Sequence, residues 1–192
     1  MKLKAILVGL AIVVSVNTAA ITYLTWRVTS LETVAIPVVE EDPAVKQSKL
    51  RTKYINVVVK RYKKDEQFVT RVVDLAFQYQ KKDFPQASDI VSIVGIESSW
   101  DTKAKSKLRR DPALGLTQIR PGAWKHKFKK HELKDVDNQI KYAVDILHHY
   151  YKVSGNREDA IVAYNIGLKA RLSGRDNPQY LEKYSQEKLN FI

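Results

Sequence analysis

The chain has 192 residues, with 33 Lys and Arg against 21 Asp and Glu, a formal net charge of +12 and no cysteine. The length suits one domain of about 100–150 residues with appendages. The missing cysteines exclude a disulfide framework, a thiol nucleophile and a cysteine zinc site, and the positive charge points to an anionic partner: nucleic acid, a membrane surface or a polyanionic wall.

Residues 1–27 read as a membrane segment. Lys2 and Lys4 precede an uncharged run from Ala5 to Trp26, long enough for a hydrocarbon core that needs about 20 apolar residues. The positive-inside tendency keeps the amino terminus in the cytoplasm, places Tyr23 and Trp26 at the outer interface and exports the remainder. The alternative is a cleaved signal peptide, with an apolar region at Ala5–Val16 and small residues at Thr18, Ala19 and Ala20. The run continues through Ile21–Leu24, which favours an uncleaved anchor. Residues 28–63 are expected to be a stalk, since Val28 to about Leu50 is rich in Thr, Ser, Glu and Asp and carries Pro37 and Pro43. Within it, Tyr54–Tyr62 fits a β-rich stretch or a first helix.

Residues 64–192 read as helices. After Asp65, the residues Val69, Val72, Val73, Ala76, Phe77 and Gln80 fall on one helix face that ends before Pro85. A second helix, with Ser88 or Asp89 as N-cap, places Ile90, Ile93, Val94 and Glu97 at i, i+3, i+4 and i+7. Ile140, Val144, Leu147 and Tyr151 mark a third, with Asp137 as its expected N-cap. Asn156, with Asp159 three residues on, opens a fourth, which Gly167 can close in the left-handed conformation. Short loops between such helices indicate a compact all-α domain.

Glu97 is the residue that breaks the pattern, because it stands where an apolar side chain belongs. A carboxylate partly removed from water by Ile93, Val94 and Trp100 has a raised pKa, the state a general acid needs near neutral pH. The other reading is a helix-end glutamate that snorkels to solvent. Glycoside hydrolysis ordinarily takes a second carboxylate. Asp101, just past the helix, and Asp111, in Arg109-Arg110-Asp111-Pro112, are the candidates, although pairing with an arginine or starting a turn is the plainer role for Asp111.

Three ordered motifs decide between these readings. Glu97-Ser98, then Gly115-Leu116-Thr117-Gln118, then Ala163-Tyr164-Asn165-Ile166-Gly167 resemble the ES, GLMQ and AYNAG motifs of the soluble lytic transglycosylase (SLT) family. The resemblance runs from about Phe68 to Tyr180. It implies a lysozyme-like α-helical fold and cleavage of peptidoglycan strands by a single glutamate, here Glu97, acting as acid and then as base. It implies further that Ser98 orients Glu97 or contacts the substrate acetamido group, and that Gln118 hydrogen-bonds sugar. Tyr164 and Asn165 would position Glu97 and the substrate, and Tyr180 resembles a late family tyrosine that lines the site. No cofactor or metal is implied.

The chain departs from the family pattern at Thr117, where methionine is usual, at Ser99-Trp100-Asp101 in place of a Gly-Phe-Asn-like run, and at Ala113-Leu114 in place of Gly-Ala. Thr117 is expected to change the wall of a saccharide subsite. The basic run Lys103–Lys130 is expected to face an anionic wall or membrane and not nucleic acid, because the domain is exported. The localisation that follows is the inner membrane, with the domain in the periplasm, serving wall remodelling, a wall-spanning secretion system or a phage. A goose-type muramidase that hydrolyses the same bond, and a non-catalytic wall-binding module, are the alternatives.

Overall fold

The computed structural model describes residues 41–192. The anchor or signal peptide expected over residues 1–27 and the stalk expected over residues 28–40 lie outside the described residues. Among the described residues no helix is long and apolar enough to cross a membrane.

Seven α-helices carry the described fold: α1 (Pro43–Tyr62), α2 (Glu66–Tyr79), α3 (Ala87–Ser98), α4 (Val136–Ser154), α5 (Arg157–Ile166), α6 (Leu168–Leu172) and α7 (Pro178–Lys188). Short 3₁₀ turns at Lys130–Lys134 and Leu189–Phe191 precede α4 and follow α7. Strand-like pairing among the described residues is limited to two isolated bridges, Lys105 with Leu114 and Leu114 with Ile119. The expectation of a mainly helical body is met.

The stalk expected over residues 28–63 does not extend through its second half. Asp42 caps α1 by accepting from the Ala44 N–H, and Pro43 takes the first helical position, where no N–H is needed. Tyr54, Ile55 and Val58 of α1 are buried in the same core as the later helices. Tyr54 stacks on Phe77 at 5.5 Å and meets Phe191 edge-on at 5.3 Å. The open choice at Tyr54–Tyr62 therefore resolves as helix, and the Pro37 and Pro43 that suggested a linker include a helix-starting proline.

Helix α2 begins at Asp65, whose carboxylate accepts from the Phe68 N–H at 2.8 Å, and it buries Val69, Val72, Val73 and Ala76 completely. Helix α3 is buried on all sides from Ala87 to Gly95, so it is the centre of the body rather than an amphipathic surface helix. Its N-cap is Gln86, not Ser88 or Asp89. Asp89 lies at the third position and accepts from the Gln86 N–H at 2.7 Å, the reciprocal half of a capping box. Helix α4 starts one turn-defining carboxylate earlier than expected: Asp135 accepts from the Asp137 N–H, while Asp137 takes the Tyr79 hydroxyl at 2.7 Å. Asn156 caps α5 as expected, accepting from Glu158 and Asp159. Gly167 ends that helix at φ 90°, ψ 141°. This is a positive φ outside the left-handed helical region, open mainly to glycine.

Candidate active site

The last turn of α3 brings Glu97 to the floor of a cleft of about 310 Å³. The opposite walls are the loop over residues 104–124 and the end of α5, which contribute Gln118, Trp124, Tyr164 and Asn165. At the end of α3 the chain must turn sharply. Ser99 and Trp100 both have positive φ, 51° and 64°, and Trp100 folds back into the core with 1 % exposure, its ring 6.2 Å from that of Tyr62.

Desolvation pushes the Glu97 carboxyl up from the ordinary 4.5 to about 7, against a smaller opposing effect of the Tyr180 hydroxyl, which donates to Glu97 Oε1 at 2.5 Å. Burial, and after it the field of Glu97, raises the phenols of Tyr180 and Tyr164 well above their usual value, so both stay protonated donors. Asp101 and Asp111 do not join the site. Asp101 accepts from the Lys103 N–H in a local turn; Asp111 accepts from the Gly122 N–H at 2.8 Å and pairs with Arg120 at 3.3 Å. Among the described residues, Glu97 is thus the one carboxylate on the cleft wall.

The structure collects Gln118, Tyr164 and Asn165 around this carboxylate. Tyr164 donates to the Thr117 carbonyl at 2.8 Å, tying α5 to the loop. Asn165 is exposed, its amide oxygen accepting from Asn177 at 2.8 Å. Gln118 sits at φ 49° and donates to the carbonyls of Ala104 and Gly115. Among the described residues its amide oxygen takes no donor, which leaves it free as an acceptor on a residue that lines the cleft. Ser98 is not on the cleft wall; its hydroxyl donates to the Val94 carbonyl at 3.1 Å, within the turn that bears Glu97.

Thr117 corrects an expectation. It is completely buried and its hydroxyl faces the Gln139 carbonyl at 3.4 Å, so the residue that departs from the motif changes no wall of the cleft. The motif glycine has a direct reason. At Gly115, φ is +70° and an added Cβ would lie 2.2 Å from Gln139 Oε1. Buried Gln139 occupies that space because it accepts from the Leu116 N–H and donates to the Leu133 carbonyl.

The ion-pair and tyrosine network under the site went unread in the sequence. Tyr184 and Lys188 both donate to buried Asp89, Lys188 at 2.5 Å. Glu187, also buried, accepts from the Tyr62 hydroxyl at 2.7 Å and pairs with Arg61 at 3.1 Å. The signal was the spacing: Tyr180, Tyr184, Glu187 and Lys188 stand at i, i+4, i+7 and i+8, one face of α7.

One desolvated carboxyl, held by the Tyr180 hydroxyl and sharing its cleft with the side chains of Gln118, Tyr164, Asn165 and Arg120, is an arrangement suited to general acid–base chemistry. A model of the transglycosylase SLT domain matches residues 74–186, and the chain belongs to this family of peptidoglycan-directed, glycan-cleaving transglycosylases. The match begins within α2 and ends within α7, leaving α1 outside it. No curated protein and no solved structure matches the chain.

Proposed function

We propose that this chain is a peptidoglycan lytic transglycosylase that cleaves the β-1,4 bond between N-acetylmuramic acid and N-acetylglucosamine and leaves a 1,6-anhydromuramoyl end. The observation that carries the reading is Glu97: among the described residues the only carboxylate on the cleft wall, with its carboxyl raised to about 7. A two-carboxylate hydrolase needs a partner about 5–9.5 Å away to act as nucleophile or to activate water, and the described residues of the cleft wall supply none.

One carboxyl suffices when the nucleophile belongs to the substrate. Glu97 in its protonated form gives its proton to the glycosidic oxygen as the C1–O bond breaks. The N-acetyl carbonyl of the muramoyl unit supports the positive charge at C1. The Glu97 carboxylate then takes the proton of the C6 hydroxyl as that oxygen bonds to C1. Glu97 ends protonated, as it began, and no water is consumed. Holding the C6 hydroxyl beside C1 replaces a bimolecular attack with an intramolecular one.

The Tyr180 hydroxyl orients Glu97 and supports its charged form between the two steps. Tyr164 fixes the loop that carries Gln118, whose free amide oxygen accepts a sugar hydroxyl or amide. Asn165 offers its amide at the rim. Of the two roles expected of Ser98, its bond to Val94 favours support of the turn that bears Glu97. The substrate lies outside the cytoplasm, so the function includes export of the domain, with residues 5–26 as an inner-membrane anchor and local opening of the wall as the outcome.

Mass spectrometry of purified peptidoglycan digested with the full chain tests the reading. Anhydromuramoyl products are expected. Reducing ends would make it a muramidase, and bound but uncut wall would make it a binding module.

A further inference from the structure

A second hollow, of about 410 Å³, adjoins the cleft. Trp124 and Ile146 line both, so whatever lies in the cleft passes beside its mouth. We propose that this hollow binds the carboxylate-bearing peptide that peptidoglycan carries on its muramoyl units; the proposal rests on the transglycosylase reading and names a second part of the same substrate.

The walls decide which chemistry fits. Lys127 places its ammonium 5.7 Å from the centre of the Trp124 ring, and His126 and Phe128 lie near-parallel to that ring at 5.8 and 6.5 Å. Phe128 in turn stacks on Tyr142 at 4.2 Å. These rings are engaged with one another and with a cation, which leaves a pyranose little open aromatic face to stack on. They form a side wall suited to small apolar groups.

Charge completes the selection. Lys152 is held by Asp83, and Asp145 pairs with Lys81 at 3.4 Å. His148 donates from Nδ1 to the Phe84 carbonyl at 2.7 Å. Lys127 has no carboxylate partner among the described residues, so it is the wall cation with capacity for an incoming anion. A short peptide uses both features: a carboxylate meets Lys127, and methyl and methylene groups meet the aromatic wall. A neutral sugar leaves the charge unused, and a phosphate polymer leaves the apolar wall unused.

The experiment compares glycan strands that keep their peptides with the same strands stripped by an amidase, both digested by the full chain. The expected kcat/KM on peptide-bearing strands is about three- to tenfold higher, the range of one partly exposed charge-assisted contact. Lys127→Glu removes that preference through KM with kcat unchanged and leaves the stripped strands unaffected, while Lys127→Arg retains it. Equal wild-type rates on the two substrates, or equal losses on both with Lys127→Glu, overturn the proposal. Independently, the free stem tetrapeptide titrated into Glu97→Gln is expected to shift the NMR signals of Phe128 and Tyr142, and not to do so once Lys127→Glu is added; no shift at millimolar peptide overturns it. Absence of anhydromuramoyl release from both substrates sinks the transglycosylase reading instead, and the peptide titration still decides the hollow.

Discussion

Glu97 carries opposing demands: as an acid it must hold a proton near neutral pH, and as a base it must then bear charge in a poorly solvated place. Burial serves the first and Tyr180 the second. Glu97→Gln keeps the shape but has no proton to exchange, so turnover on purified peptidoglycan should fall by at least the roughly 10²–10⁴-fold of general acid–base catalysis, with binding retained. The same variant reports on stability. Between pH 4.5 and about 7 the folded chain holds a proton that the unfolded chain has released. Wild-type stability therefore falls as pH rises through that window, by on the order of 3 kcal/mol in full. Thermal melts should show Glu97→Gln exceeding wild type at pH 8, with the gap closing toward pH 4.5. The Tyr180 bond favours the charged carboxylate, so Tyr180→Phe should move the alkaline limb of kcat/KM above its wild-type position near 7 and lower kcat. A limb that stays in place would confine Tyr180 to packing.

Helix α7 holds the site from behind. It runs antiparallel to α3, with Tyr180 at one end on Glu97 and Tyr184 and Lys188 at the other on Asp89. Glu187, between these contacts along the face, fastens α7 to Tyr62 and Arg61 of α1. Helix α1 is thereby linked to the carboxyl it never touches, although it lies outside the family match. A chain beginning near Lys64, which a stalk would permit, would lose Tyr54, Ile55 and Val58 from the core and leave buried Glu187 without Tyr62. It should lose cooperative unfolding and activity together; calorimetry of that shortened chain against one beginning at Glu41 checks this. A full cooperative transition from the shorter chain would make α1 dispensable.

Across the molecule, the formal charge of +12 is concentrated in part on the exposed Lys and Arg of residues 103–130, the segment that forms one wall of the cleft. Exposed charges act over about 8 Å at physiological ionic strength. Activity on whole wall should drop as salt is raised, while a short soluble glycan lacking the anionic wall polymers should be cut at a rate that changes little. A flat profile on both would make the charge a passive solvated surface.

Helical class, the helix following Asp65, the cap at Asn156, and the ordered motifs that carry Glu97, Gln118, Tyr164 and Asn165 were legible in the sequence. Each depends on residues close in the chain, or on ordered motifs whose spacing survives without coordinates. Tertiary structure alone decided that α1 belongs to the core, because its apolar residues are interrupted by lysines and only their partners on α2 and in the Leu189–Phe191 turn show which face is buried. It alone showed Thr117 turned away from the cleft, since a loop residue's direction follows from what fills the space behind it, here Gln139. The motif resemblance pointed to Glu97 over Asp101 and Asp111, and the tertiary structure gave the physical reason. The three carboxylates lie within fifteen residues of one another, but α3 ends in a left-handed turn that leaves the first in the cleft and sends the other two into turns of the loop.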